Sequence, residues 1–272
     1  MHRTRRLSVA FVVAGVVGVA APAAASAVSV VTISGATASF PLVSLLAQKY
    51  VKTHPNKVKF KIAQGGAQIG VNDVAAGRVT IGDVSRDPLL SDPKGLVFYP
   101  IAKYAICVVT NRANPLSNLT QAQVISIFTG KTRSWSGVSG ASASGPIDLI
   151  SRTSVAGVLT NFQTLLLEGK KVSSIAAEEP SEGLLRQQVE NDANSIGFLS
   201  NYQSDKGGVN PVSLNGVQCN RANAVSGQYA GIARFYEVTK GKATGAASAF
   251  IGWIGKAAAA RKIISTQWIP IG

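Results

Sequence analysis

Hydrophobic positions along this chain alternate between two spacings, and short polar loops separate the blocks. The segment 27–35 (AVSVVTISG) is an apolar run typical of a buried strand, and the segment 41–55 carries apolar residues at helical spacing. The same order returns with a predicted strand at 57–63 (KVKFKIA), a weaker helix around 71–77 and a strand within 79–89. Strands that alternate with helices favour a parallel or mixed sheet with helices packed on its faces.

A second block of the same kind begins with the segment 98–111 (FYPIAKYAICVVTN), whose unbroken apolar character predicts a strand covered on both faces. In the helix predicted next, Thr120 and Gln123 have the spacing of a capping box, and Gly130 is placed to end the helix. Further along, the pattern predicts strands at 147–151 and 195–200 and helices within 151–169, 181–191 and 244–265. The sequence shows no repeat of fixed period, which argues against a solenoid.

The first 27 residues have the three parts of a secretory signal. A basic start is followed by an apolar run over 7–21 and by the small residues 25–27. We expect cleavage after Ala27 and a secreted or periplasmic product without membrane insertion. A membrane anchor is the alternative, but the run of about 15 residues is shorter than the roughly 20 that a spanning helix needs. No cysteine lies near the cleavage site to carry a lipid anchor.

The composition is strongly basic, with 27 Lys plus Arg against 13 Asp plus Glu and a formal net charge of +14. Such a charge attracts nucleic acid, a polyanionic envelope or an anionic solute, and it does not choose among them. Part of it lies in 57–63, where lysines alternate with apolar residues as on a half-exposed strand. Cys107 and Cys219 make an even count, so either a disulfide between them or a buried free Cys107 fits the sequence.

Residues suited to catalysis are scarce. His54 is the single histidine after the predicted cleavage site, and it follows a helix, where we expect a solvated or capping role. The sequence contains no carboxylate pair, metal-spaced cluster or nucleophile with a nearby base, so it predicts neither an enzyme nor a metal or other cofactor. The basic residues are scattered and no nucleic-acid-binding signature is present, so we expect no nucleic acid partner either.

Four polar loops recur where a predicted strand ends. They are 35–39 (GATAS), 64–68 (QGGAQ), 83–87 (DVSRD) and 151–154 (SRTS). Helix N-termini expose free backbone N–H groups and a partial positive charge, so several such ends meeting in one cleft make an oxyanion site. Glycine permits close approach of the backbone, and arginine supplies a fork of donors. One Ser- or Thr-rich loop caps a helix just as readily, so only the four loops together support this prediction.

Three separated stretches carry a family resemblance. The stretch 117–140 ends a helix in F-T-G and continues to a tryptophan, 181–200 joins a helix to an I-G-F strand, and 227–254 contains a strand, a glycine loop and a long helix. They resemble the type II periplasmic solute-binding proteins, and within them the phosphate-binding components of phosphate ABC transporters. The resemblance extends over essentially the whole chain after the predicted signal.

This resemblance implies an α/β fold of the two-lobe type II periplasmic-binding-protein kind. Each lobe is then a mixed sheet flanked by helices, with the ligand cleft between the lobes. The implied boundaries are a signal peptide at 1–27, lobe 1 at 28–106 and 217–272, and lobe 2 at 107–216. The implied function is that of an exported monomer that binds phosphate or a related small oxyanion and delivers it to an ABC permease.

The resemblance also implies a set of ligand-binding residues. By position in the four loops these are Ala36, Thr37, Ala67, Gln68, Ser85, Arg86, Arg152, Ala156, Gly157 and Val158. Ala67, Ala156 and Val158 stand where the family has hydroxyl side chains, and Arg86 stands where an aspartate or arginine is usual. These departures leave an alternative open, a diverged extracellular module of the same fold that has lost phosphate binding and recognises another solute, a polymer or a partner protein.

Overall fold

The computed structural model describes residues 28–271, so the predicted signal peptide lies outside the described residues. The strands within this range are β1 (Ser29–Gly35), β2 (Val58–Gln64), β3 (Ile81–Val84), β4 (Leu96–Asn111), β5 (Asn118–Leu119), β6 (Asp148–Arg152), β7 (Ala177–Glu179), β8 (Ser195–Ser200), β9 (Val209–Pro211), β10 (Ser213–Leu214) and β11 (Ile232–Lys240). The α-helices are α1 (Phe40–Thr53), α2 (Ala67–Ala75), α3 (Gln121–Phe128), α4 (Gly157–Leu166), α5 (Glu182–Asn191), α6 (Asn201–Ser204), α7 (Arg221–Val225), α8 (Gly245–Lys256) and α9 (Ala258–Gln267).

One mixed sheet runs through the described chain. Its strands follow the order β2-β1-β3-β11-β4-β8-β6-β7, and β9 pairs with the end of β4. Strand β1 is parallel to β2 and β3, whereas β11 is antiparallel to β3 and β4. Strands β5 and β10 form a separate parallel pair. The α/β class predicted from alternating strands and helices is confirmed.

Strand β4 links the two halves of the sheet. Residues 96–105 pair with β11, and residues 106–111 pair with β8 and β9. Every residue from Ala105 to Asn111 is buried, as predicted for the segment 98–111, whereas Pro100 in the first part of that segment is exposed, so this part is not covered on both faces. The predicted lobe boundary between 106 and 107 falls inside this strand and stays a prediction.

The local signals at helix ends are confirmed. Thr120 Oγ1 accepts a hydrogen bond from Gln123 N at 3.2 Å, and Gln123 Oε1 accepts one from Thr120 N at 2.8 Å, which completes the capping box of α3. His54 caps the end of α1, because its backbone N–H donates to Tyr50 O at 2.9 Å. The helical tail is divided into α8 and α9 by the extended conformation of Ala257.

Aromatic packing holds α1 and α4, two of the helices that reach the candidate site. Phe162 of α4 stacks on Phe198 of β8 with 4.0 Å between ring centroids, and Phe128 of α3 packs edge-on against both. On the other side of the molecule, Tyr50 of α1 packs edge-on against Phe60 of β2. These contacts fix each helix on its sheet and thereby fix where the helix begins.

A disulfide joins Cys107 in β4 to Cys219 just before α7, which decides between the two states that the sequence allowed. The lysines of segment 57–63 are exposed along the edge strand β2, as their alternation predicted. Within 28–271 no helix combines the length and the apolar character needed to cross a bilayer.

Candidate functional site

Four loops meet around one small cavity at the carboxyl ends of β1, β2, β3 and β6. Its wall consists of Ala36, Thr37, Ala38, Gly66, Ala67, Ser85, Arg152, Ala156, Gly157 and Val158. In this structure the residues of the wall lie so close together that they leave no room for a water molecule between them. Eight of the ten residues predicted to bind a ligand lie in this wall, and Gln68 and Arg86 do not. Ala38 and Gly66 were missed as individual residues, although both belong to the predicted polar loops.

Three helices begin at the cavity wall without a side-chain cap. The N-cap residues are Ser39 for α1, Gly66 for α2 and Ala156 for α4, and in the described chain no side chain accepts a hydrogen bond from their first turns. Side chains cap α3, α5 and α7, whereas α6, α8 and α9 also begin without a side-chain cap. The feature that α1, α2 and α4 share is where they begin, because the positive ends of their three helix dipoles lie beside one small volume.

The wall also offers backbone donors. Ala67, Gly157 and Val158 occupy first-turn positions of α2 and α4, where an N–H group has no acceptor within its own helix. Two hydroxyl side chains, those of Thr37 and Ser85, lie beside them. Residues 28–271 contain no group of three or more His, Cys, Asp or Glu residues that could hold a metal ion. The donor set suits an anion with several oxygen atoms.

Among the described residues that form the wall, Arg152 has the one charged side chain, and it is only 1% exposed. Its Nε donates to Glu179 O at 2.9 Å, and its Nη2 donates to Pro180 O at 2.9 Å and to Thr37 Oγ1 at 3.0 Å. Its Nη1 has no hydrogen-bond partner among residues 28–271. The guanidinium of this wall residue is thus fixed through Nε and Nη2 and keeps Nη1 as a buried donor without a partner among residues 28–271.

Glu182 interacts electrostatically with Arg152 and is also buried. Its carboxylate accepts hydrogen bonds from Ser200 N at 2.6 Å and from Ser200 Oγ at 2.7 Å. Burial raises the pKa of Glu182, although the charge of Arg152 and the bonds from Ser200 act in the opposite direction. Burial lowers the pKa of Arg152, and the charge of Glu182 opposes that shift. The two charges therefore depend on each other for their burial.

Arg86, the second predicted arginine, is buried but has other partners. Its Nη1 and Nη2 donate to the two carboxylate oxygens of Asp92 at 2.9 and 2.6 Å, and Nη2 also donates to Gln68 Oε1 at 2.9 Å. Although burial acts to raise the pKa of Asp92, hydrogen bonds from Arg86 and from the Leu89 N–H hold it below its usual range. Arg86 therefore ties the loop after β3 to α2.

The opposite walls of the cavity contact each other. Gln68 N donates to Val155 O at 3.0 Å, and Asn161 Nδ2 donates to Ser85 O at 2.7 Å. A Cβ atom on Gly157 would lie 2.6 Å from Ser85 Oγ, so only glycine lets α4 approach so closely. These contacts join predicted lobe 1 to predicted lobe 2.

A buried acid pair next to this site was missed by the sequence analysis. Asp83 of β3 and Glu237 of β11 are directly opposite in register, and they are 2% and 0% exposed. Burial raises the pKa of Asp83 to about 7. Burial also raises the pKa of Glu237 well above its usual range, and the charge of Asp83 adds to that shift. The available signal was an acid inside each of two apolar strands, TIGDV and FYEVT.

Known proteins resemble this chain in sequence and in fold. A family model described as a PBP superfamily domain matches residues 20–257. The chain is similar to the phosphate-binding protein PstS of Bacillus subtilis, with 27% identity over 245 residues that cover 88% of this chain and 80% of that protein.

Two solved structures are similar as well. One is a Clostridium perfringens protein described as a phosphate ABC transporter substrate-binding protein with bound phosphate. Its TM-score is 0.83 at 27% identity, over 90% of this chain and 100% of that chain. The other is an ABC-type phosphate transport receptor from Vibrio cholerae, with a TM-score of 0.72 at 23% identity, over 89% of this chain and 100% of that chain. The second likeness shows the fold alone.

Proposed function

Because this chain belongs to the PBP superfamily and has its two-lobe α/β fold, we propose that it is a solute-binding protein for phosphate or a related small oxyanion. The ligand occupies the cavity where the four loops meet. One observation carries this proposal: Arg152 Nη1 is a buried donor without a partner among the described residues, in a wall where three uncapped helices begin.

The donors around the cavity explain how an anion binds without the hydroxyls that the family usually supplies. Arg152 provides the charge, Thr37 and Ser85 provide hydroxyls, and the first turns of α2 and α4 provide backbone amides. A backbone N–H does not depend on the side chain, so Ala67 and Val158 still contribute donors. Each hydrogen bond to a charged group contributes about 1.5–3 kcal/mol.

Binding requires the cleft to open and close. The contacts between Gln68 and Val155 and between Arg152 and Thr37 close the cavity, and the closed walls leave no room for an anion until they move apart. Lobe 1 (28–106 and 217–272) and lobe 2 (107–216) separate to admit the ligand and then clasp it. In this arrangement Arg86 holds Gln68 in place on the lobe 1 side of the cleft.

The partner and location follow from the same role. The protein is exported by the segment 1–27, acts as a secreted or periplasmic monomer, and presents the closed form to an ABC permease. A binding role without catalysis is expected, since the similar proteins are described as phosphate-binding and substrate-binding proteins.

Titration calorimetry on the chain beginning at Val28 tests this proposal with phosphate and sulfate. Replacing Arg152 by Ala removes at least one charged hydrogen bond, so affinity falls about 10- to 150-fold. Arg78→Ala is the matched control, because this arginine is 61% exposed and lies outside the cavity wall. The proposal is refuted if neither anion gives heat, or if the Arg152 variant binds as the control does.

A companion variant tests the alternative of a diverged module. The triple substitution Ala67→Ser, Ala156→Ser and Val158→Thr restores the hydroxyls that the family has at these positions. Phosphate binding by this variant together with no binding by the parent chain would favour a module that has lost its phosphate site.

A further inference from the structure

The strongest feature outside the cavity wall is the acid pair of Asp83 and Glu237. Ser39 Oγ donates to Asp83 Oδ1 at 2.5 Å, whereas neither carboxyl oxygen of Glu237 has a hydrogen-bond partner among residues 28–271. Burial strongly disfavours a carboxylate that lacks a counter-charge, and two adjacent carboxyl groups cannot both ionise there. The pair therefore holds at least one proton.

Neither acid forms an ion pair within residues 28–271. Strand β1 has no charged residue, and on β4 the residue opposite Glu237 is Tyr99, whose hydroxyl accepts a hydrogen bond from Ala243 N. On α2, Asp73 accepts a hydrogen bond from Ser34 Oγ. Gly35 is the register partner of Asp83, and side chains alternate along a strand, so the preceding residue Ser34 points to the opposite face of the sheet from Asp83.

The remaining charged side chains of the neighbouring elements form no ion pair with either acid. They are Lys49 and Lys52 on α1, Lys103 on β4, Arg234 and Lys240 on β11, and Lys256 on α8. The hydrogen bond from Ser39 lowers the pKa of Asp83, and no group of the described chain lowers the pKa of Glu237. None of these cations therefore stabilises the ionised form of either acid. The pair is charge-isolated from the lobe that contains it.

The pair is nevertheless adjacent to the cavity. Asp83 O accepts a hydrogen bond from Ala36 N at 2.8 Å, and Ala36 is part of the cavity wall. Ser39, which bonds the Asp83 carboxyl group, is the N-cap residue of α1. A charge on Asp83 would therefore lie just behind the wall, at the same helix N-terminus that faces a bound anion.

We propose that Asp83 and Glu237 form a proton-binding site that is linked to the anion site, so that anion binding takes up a proton. A bound anion and an ionised Asp83 repel each other and compete for the positive end of α1. A proton from solvent bonds to an Asp83 carboxylate oxygen and removes that conflict. Because linkage is reciprocal, the anion strengthens proton binding by the factor by which the proton strengthens anion binding. This inference rests on the proposed anion-binding function.

Sulfate is the probe for this linkage, because its charge is constant between pH 5.5 and 8.5. A unit charge and the doubly charged sulfate about 10 Å apart, at an effective dielectric constant of about 20, correspond to a change in affinity on the order of 200-fold, of which this pH range covers a part. We expect sulfate affinity to fall at least about tenfold as pH rises across this range. We also expect calorimetry near pH 7, in two buffers of different ionisation enthalpy, to show fractional proton uptake on binding.

Asp83→Asn keeps an acceptor for Ser39 and is expected to bind sulfate with no proton uptake and little dependence on pH. Asp73→Asn is the matched control, because it removes a carboxylate from the other face of the sheet, and His54→Gln is a second control that removes the one histidine of the described residues. Both controls should keep the proton uptake. The buffer comparison on the unaltered chain needs no variant, so it decides the question even if Asp83→Asn fails to fold.

The outcomes separate this inference from the function on which it rests. Sulfate binding that is independent of pH and takes up no proton would overturn the linkage and leave the anion site standing. The same holds if Asp83→Asn takes up protons as the unaltered chain does. If only phosphate binds, the proton count with phosphate is compared between the unaltered chain and Asp83→Asn, and equal counts overturn the linkage. If neither anion binds, both ideas fail.

Discussion

The contact at Gly157 gives the sharpest test of closure. In Gly157→Ala the added Cβ atom would lie 2.6 Å from Ser85 Oγ, 2.9 Å from Ala67 Cβ and 2.9 Å from the Ser85 carbonyl carbon. Rotation of the Ser85 side chain can move its Oγ away. The Ala67 Cβ atom and the Ser85 carbonyl carbon are fixed to the backbone, so the clash with these two atoms remains. The clash exists only while the two walls of the cavity are in contact.

The size of the effect follows from the cost of inserting a methyl group into a packed contact, about 1–3 kcal/mol. If that cost applies only to the closed form, the dissociation constant of the anion rises about 5- to 150-fold. The free energy of unfolding without ligand should change far less, because the open form places no atom against the new methyl group. A variant that loses affinity and keeps its stability would match the reasoning.

Calorimetry with phosphate measures the affinity, urea denaturation measures the stability, and small-angle X-ray scattering measures the contraction on ligand addition. Gly252→Ala is the control, because a Cβ there has no heavy atom within 4 Å. It lies inside α8, so we expect unchanged affinity and a gain in stability of about 0.5–1 kcal/mol. Wild-type affinity and contraction in Gly157→Ala would refute the role assigned to this contact.

Three further outcomes are expected. Arg152→Met should lower the free energy of unfolding by about 3 kcal/mol, which is the attraction between unit charges about 6 Å apart. Adding Glu182→Gln should restore stability in urea titrations without restoring anion binding. A double variant that is no more stable than the single variant contradicts this reasoning. Replacing Cys107 and Cys219 by Ala removes a cross-link between positions 112 residues apart. The free energy of unfolding measured in denaturant titrations should fall by about 3–5 kcal/mol. Equal stability would show that the disulfide is dispensable. Burial raises the pKa of Asp83 to about 7, so its contribution to stability is full below the unfolded pKa of about 4 and is lost as pH rises through 7. In thermal unfolding, Asp83→Asn should therefore lose less stability between pH 5 and 8 than the parent chain. Parallel pH profiles of stability would refute the assignment.

Local patterns in the sequence predicted the longer strands and helices of this protein, because each pattern acts over a few residues. The short elements β5, β7, β9, β10, α6 and α7 were not predicted. The capping box of Thr120 and Gln123 spans one turn and starts α3 as predicted. The apolar run ending at Asn111 is buried because covered strands have that composition. The four polar loops were also readable from the sequence, because each one follows a strand and the carboxyl ends of strands gather at one edge of an α/β sheet.

Only the tertiary structure decided which side chains face the cavity. Arg86 and Arg152 look equivalent in sequence, yet Arg86 pairs with Asp92 nearby, whereas Arg152 reaches Thr37, 115 residues earlier, and keeps one donor unused. Such choices depend on packing between segments that are distant in the chain, and no local periodicity records them. The opposition of Asp83 and Glu237 has the same origin, because strand register alone brings together two acids that lie in separate apolar strands.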